Sequence, residues 1–363
     1  MNSRRQFLKQ ASALAALPLI GCAVPSSLDG YALLGAWRNQ SGQQGAGRIL
    51  PQLTHQTSLP TRGHHIEVIN TDEAWLFARR PSEYMRRVNW RMGEVLHTYQ
   101  YDGSRAGFGH GIMRPDGRLL TTDQNLDTDQ GLLTVRDGRT GEVIQEFDSG
   151  GIGPHELLLM PDGQNVAIAN GGILTRPEMG RMKLNVANMQ PNLTIIDAYT
   201  GQIKHTAQLP DSRMSIRHLA MLPQGGLAIA LQYEYNPSEV NQKDVAVAAM
   251  WHPNSGLVAL RAPEKHEFAA QGYAASVVSD GQTYCAVSCP KAHQVMVWRS
   301  DGRWLITLPV PLVYGLAHVG RTLIASGENG DIRYFDTHSW QEKLDLRQQF
   351  GVVWDNHLKV THV

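Results

Sequence analysis

The chain has 363 residues, room for one large all-β domain or two ordinary ones, and its 42% hydrophobic content is enough for a sizeable core. Only 18% of residues are charged, and 35 glycines with aromatics spread along the chain suit many short strands and tight turns better than helices. Lys+Arg and Asp+Glu both number 33, so the basic excess of a nucleic-acid binder is missing; without residues 1–21, which hold Arg4, Arg5 and Lys9 and no acid, the count is 30 basic against 33 acidic.

The first residues read as an address. Ser3-Arg4-Arg5-Gln6-Phe7-Leu8-Lys9 has the twin-arginine form of an export signal, and the apolar run 11–20 is too short to cross a bilayer as a helix. It ends in Leu19-Ile20-Gly21-Cys22, a lipobox pattern in which the Cys is acylated and becomes the new N-terminus. The expected organisation is a signal over 1–22, a tether over 23–29 and a single domain over 30–363. The expected location is the periplasmic face of a bacterial membrane, with Cys22 as the anchor.

Strands are predicted over 31–37 and 48–53 around a Gly/Gln-rich loop. A repeating phrase follows. His110 leads through Pro115-Asp116-Gly117 into 119–122, and His155 leads through Pro161-Asp162-Gly163 into 165–169. A worn copy runs from Arg217-His218 through Pro223-Gln224-Gly225 into 227–231. Pro sets φ at the first central turn position and Gly takes the positive φ, so each phrase predicts strand, turn, strand. A second set of turns closes the outer strands, at Asp137 to Gly141, Asp197 to Gly201, Ser300 to Arg303 and Asp336 to Ser339.

Inner-strand openings fall near 64, 110, 155, 217, 275, 314 and 357, roughly 40 to 60 residues apart. Seven openings predict an all-β, seven-bladed β-propeller. The last opening, Trp354-Asp355-Asn356-His357, leaves no room for three further strands, and the strands before 60 have no inner strand of their own. Blade seven is therefore expected to be closed by the N-terminal strands plus the C-terminal strand, which hides an edge. Two stacked β-sandwiches are the alternative. Cys285 and Cys289 lie in one strand run, roughly 13 Å apart and too far for a disulfide, which makes them structural core residues.

Equivalent positions of a circular repeat converge on one end of its channel. In ring order they are His64-His65, His110, His155-Glu156, Arg217-His218, Ser276, Tyr314 and Asp355-Asn356-His357. Long polar loops over 123–130, 170–192 and 232–244 mark the same end as functional. Neutral imidazoles suit Fe, Cu, Zn or Ni, and Glu156 can add an oxygen, so His64, His110, His155 and Glu156 form the candidate metal set. Sheets packed ~10 Å apart should keep ligands from distant blades off one ion. Arg217, His218, Asn170, Gln232, Tyr233, Asn356 and His357 are the candidate ligand-binding residues, and Arg217 favours an anionic or carboxylate-bearing ligand. The bland reading makes the histidines channel-mouth hydrogen-bonders that hold water and adjacent blades together.

Met179, Met182 and Met189, near Arg176 and Arg181, fit copper binding or loop packing. Asn192-Leu193-Thr194 has the glycosylation pattern but carries no weight behind a bacterial signal. No nucleophile elbow, phosphate loop or zinc-protease helix is present, and no catalytic residue stands out.

The chain resembles the domain-of-unknown-function 1513 family of exported bacterial β-propellers across nearly its whole mature length. The resemblance rests on Arg62-Gly63-His64, Gly109-His110-Gly111, the phrase from Ser149 to Gly163, Ala169 to Ile173, Ser215 to Leu219, Gln232-Tyr233-Glu234 and Trp354 to His357. His65 stands where relatives often have Gly. The resemblance implies export by the twin-arginine route and neighbours that include imelysin-type iron-regulated lipoproteins and a di-haem oxidoreductase-like protein, hence a role in periplasmic iron or metal uptake. It supplies no reaction. Three functions stay open: a monomeric, lipid-anchored metal or metal-complex binder, an interaction platform for periplasmic lipoproteins, and a metal-dependent enzyme.

Overall fold

The computed structural model describes residues 30–50, 53–180, 182–235 and 245–363. The signal, the tether, Cys22, Arg181 and most of the 232–244 loop lie outside these residues. Among the described residues no helix is long and apolar enough to cross a membrane.

The fold is all-β and built from antiparallel sheets in chain order. Four-stranded sheets span 63–100, 105–148, 154–207, 214–260 and 276–309. The sixth sheet has eight strands and unites the two ends of the chain. One half is Val313–Val319, Thr322–Gly327, Asp331–Asp336 and Gln348–Gln349. The other is the C-terminal strand Val352–His362 followed by Tyr31–Asn39, Gln44–Arg48 and Thr54–Leu59. A single parallel pairing, Leu316 with His357, joins the halves. Val352–His362 pairs antiparallel with Tyr31–Asn39 along its length, from Tyr31 opposite His362 to Asn39 opposite Val352. The expected closure of the N-terminal strands by the C-terminal one is therefore observed, and the arrangement is that of a β-propeller.

The turns form for local reasons. Gly163 takes φ +67° in the Pro-Asp-Gly turn, a region open to glycine at little cost. At the outer turns Asp137 Oδ1 accepts the Arg139 and Thr140 N–H groups, and Asp197 Oδ1 accepts those of Tyr199 and Thr200. These Asx-type turns stop one strand and start the next.

The core lies between sheets. Seven apolar clusters occur among the described residues, each shared by successive sheets or by the halves of the eight-stranded sheet. Leu193 and Ile195 meet Ile229 and Leu231 in one, and Leu34 and Ala36 meet Leu76 and Ala78 in another. Cys285 and Cys289 are unbridged and buried in a third. Burial pushes the Cys285 thiol up to about 12 and the Cys289 thiol higher still, so both pack as small hydrophobes.

Three local expectations need correction. Of the strand expected over 48–53, Arg48 ends the strand Gln44–Arg48, Ile49, Leu50 and Leu53 lie outside any strand, and 51 and 52 lie outside the described residues; Gly45 and Gly47 serve as strand residues and not as a loop. The loop expected to begin at 123 begins after Asn125; Asp123 is a buried strand residue bonded to Arg136 and Tyr101. The strand-only expectation is also broken by a helix, Glu264–Ala270, whose start signals are Pro263 at its N-cap and Glu264 and Glu267 in its first turn. Glu267 folds back onto Arg261 and the Ala262 N–H.

Candidate metal centre

Each inner strand that brings a histidine to the axis is irregular at that histidine. On the strand Gly63–Val68, His64 and His65 together face Phe77 between the pairs Gly63–Ala78 and Ile66–Leu76. In Arg105–Met113, residues 108–110 occupy the gap between Gly107–Asp123 and Gly111–Thr121. His155 is the extra residue between Pro154–Asn170 and Glu156–Ala169, and Arg217 is the extra one before His218. On Val352–His362, residues 355–357 bulge between the Trp354 and Leu358 pairings. A bulge re-aims side chains that a regular pleat would alternate between faces. The inner strand Ser276–Ser279 is regular and bears no histidine.

The result is a basin of imidazoles. His110 lies 4.8 Å from His64, 5.1 Å from His155, 5.6 Å from His218 and 4.8 Å from His357, measured between ring centroids. His64 and His357 are 4.6 Å apart, His155 and His218 4.8 Å, His218 and His357 4.7 Å. His65 flanks the group, 5.2 Å from His110 and 5.6 Å from His357. His64, His110, His155 and His218 are buried, while His65 and His357 are partly so.

Donor nitrogens of His64, His110 and His155 lie within 4.8 Å of one another, and so do those of His110, His218 and His357. Metal–nitrogen bonds of about 2.0–2.1 Å need donors roughly 3.4 Å apart, so small ring movements would close either set on an ion. The second set corrects the expectation that only neighbouring sheets can share an ion. The ~10 Å spacing holds between sheet faces, whereas at the axis the inner strands converge and side chains from opposite sides meet.

Most of these rings lack protein partners at the nitrogen facing the basin. His64 Nε2, His65 Nδ1, both nitrogens of His110, His155 Nδ1, His218 Nε2 and His357 Nε2 are buried without a hydrogen bond. Two rings are braced from behind. Asp355 Oδ1 accepts His64 Nδ1–H at 2.7 Å, with Arg62 Nε on its other oxygen. Glu156 Oε2 accepts His218 Nδ1–H at 2.9 Å and the Leu219 N–H at 3.0 Å. A carboxylate behind an imidazole fixes the tautomer with its lone pair forward, the usual support of a metal ligand. Glu156 Oε1 faces His110 Nδ1 at 3.8 Å, beyond hydrogen-bond range.

Burial, reinforced by neighbouring imidazoles and cations, holds His65, His110, His155, His218 and His357 well below the ordinary histidine value. His64 is also lowered by burial, with Asp355 opposing. Asp355, which burial alone would raise, is kept well below the carboxylate range by His64, Arg79 and Arg62. The pair is a neutral imidazole on a carboxylate. Glu156 is raised by burial.

Asn356 donates from Nδ2 to the Ala275 carbonyl, beside Ser276. Arg217 is buried against Glu234, which also binds Lys183. Arg79 and Arg80, missed from the sequence, add positive charge near His218 and His155; they follow the strand Glu73–Ala78 as Gly171 follows Asn165–Asn170, which is the signal that could have found them. Asn170 is absorbed by Ser149, Asn192 and Thr194, Gln232 donates to Ala274, and the Tyr233 ring lies 4.7 Å from that of Tyr235, tilted by 60°. Met189 is buried while Met179 and Met182 are exposed. Tyr314 is partly buried above Ser288, whose hydroxyl donates to its carbonyl. Beside the basin a cavity of about 290 Å³ runs along the inner strands Ser276–Ser279 and Val313–Val319, lined by His65, Glu156, Ser276, His318, His357 and Lys359.

Circular antiparallel sheets around a buried imidazole basin define a propeller-type protein with a candidate metal centre at its hub. The family described as Protein of unknown function (DUF1513) matches residues 57–361, and the chain belongs to that family. Among solved structures it is similar to Kuenenia stuttgartiensis Hydrazine Synthase, with 12% identity, a TM-score of 0.60, and coverage of 85% of this chain and 89% of that one. That likeness speaks to the fold alone. Comparison with curated proteins gives no significant match.

Proposed function

We propose that this protein binds a transition metal in the hub basin of a seven-bladed propeller. The observation that carries the reading is the set of buried imidazole nitrogens without protein partners, facing one another across less than 5 Å within each triad. Leaving one buried polar group unmet costs about 1–3 kcal/mol, and a metal ion removes several such costs at once. His64, His110 and His155 form the first ligand set, with Asp355 and Glu156 in support. Imidazole donors suit Fe, Cu or Zn. The seven-blade count divides the eight-stranded sheet into two blades, in keeping with seven inter-sheet clusters.

The signal and lipobox patterns support a twin-arginine-exported protein anchored through Cys22 on the periplasmic side, accessory to iron or metal uptake. Its partners would include neighbouring uptake lipoproteins. The cavity beside Glu156 and His357 favours, as a second reading, a metal-dependent enzyme acting on a small molecule. Metal analysis of the purified protein after equilibration with Fe, Cu or Zn and gel filtration tests the main reading. At least one retained equivalent is expected, lost in His110→Ala. A folded protein that retains none overturns it. Cys22→Ser should release the protein from membranes, and unchanged membrane association would refute the anchor.

A further inference from the structure

Building on the metal-binding reading, we infer that the basin holds two metal ions bridged by His110. The argument begins with donor count. On the five rings of the two triads, His64 Nε2, His155 Nδ1, His218 Nε2, His357 Nε2 and both nitrogens of His110 make six buried, unpartnered positions, with His65 Nδ1 outside both triads. A four-coordinate ion takes four at most, which leaves two buried nitrogens unmet. Two ions take all six.

The two triads divide the rings in that way. His64 and His155 complete one with His110, while His218 and His357 complete the other. His110 alone belongs to both, and it alone of the five has both nitrogens buried without a hydrogen-bond partner. Its ring side chain is fully buried, so neither nitrogen is satisfied by bulk water. An imidazole presents its two nitrogens in diverging directions and binds two ions once its N–H proton is released to solvent. Two N–metal bonds then form and one N–H bond breaks, with no change of oxidation state. Each ion would have three protein nitrogens and a position left for a fourth donor. Asp355 and Glu156 each brace one ring of a different triad, His64 in the first and His218 in the second. The bridging imidazolate and these two carboxylates offset part of the added positive charge, close to where Arg217 and Arg79 bear on the same rings.

The experiment uses the purified full chain titrated with Cu(II) and, separately, Zn(II). Bound metal is counted after gel filtration, and the copper form is examined by electron paramagnetic resonance. Two equivalents are expected, with the copper spin count well below the copper content because the imidazolate couples the ions. His218→Ala and His155→Ala should each retain one equivalent, the copper form giving a full, uncoupled signal. A variant that still holds one ion thereby reports its own folding. One equivalent in the wild type with full spin intensity overturns the bridged pair and leaves single-metal binding intact. No bound metal overturns both.

Discussion

Asp355 and Glu156 carry opposite perturbations yet occupy the same kind of position, each behind an imidazole and away from the basin. Their value to a metal is the orientation and tautomer they impose. Removing such a support typically costs 10–100-fold in metal affinity. Asp355→Asn and Glu156→Gln are each expected to weaken Zn(II) by about that factor in a chelator competition, with near-native circular dichroism. Unchanged affinity would show that the carboxylates serve packing only.

The titration of the basin follows from the same burial. In the unfolded chain the histidines protonate near 6.5, but in the fold five of them are held well below it. Between those limits the unfolded state binds more protons, so folding stability is complete above about pH 6.5 and falls as pH drops through the folded values. The metal-free protein should therefore show a lower thermal midpoint at pH 5.5 than at pH 7.5. A midpoint that stays level or rises on acidification would contradict the buried neutral cluster.

At the scale of the element, the bulges decide the site. A regular strand would send His64 and His65 to opposite faces, and would do the same with Arg217 and His218. Gly109 makes one of the two widest of these irregularities possible. It has φ +90°, and a Cβ there would come within 2.9 Å of the Ala78 carbonyl and 3.1 Å of His64 Cδ2. Gly163 has comparable backbone strain, φ +67°, but meets only Pro115 at 3.8 Å. Gly109→Ala should destabilise by about 1–3 kcal/mol and weaken metal binding as well. Gly163→Ala should cost about 1 kcal/mol and leave the metal in place. Denaturant midpoints and metal titrations on the two variants separate backbone strain from displacement of His64.

For the molecule as a whole, Val352–His362 has two duties. It buries Trp354 and Val352 in an inter-sheet cluster and brings Asp355 and His357 to the axis. Its loss would leave Tyr31–Asn39 with an open edge and the ring with a gap. Deletion of residues 352–363 is expected to consume most of a stability of about 5–15 kcal/mol. The readout is aggregation on gel filtration and loss of a cooperative thermal transition; a monomer with a native-like transition would rule out the closing role.

Much of this was legible without coordinates. Recurrent Pro-Asp-Gly and Asp-to-Gly turns placed the inner and outer strands of most sheets, because turn chemistry is local and acts through the nearest few residues. The absence of room after His357, set against orphan strands before 60, foretold how the ends join. The histidines were found by their equivalent positions in the repeat. The sequence could not say that His218 and His357 reach His110, that Glu156 turns away to hold His218, or that Asn170 is spent on Ser149 and Asn192. Those outcomes depend on strand bulges and on convergence at the axis, which join residues nearly three hundred positions apart. Periodicity along a chain determines which side of a strand a residue favours; only the closed ring determines what that residue then meets.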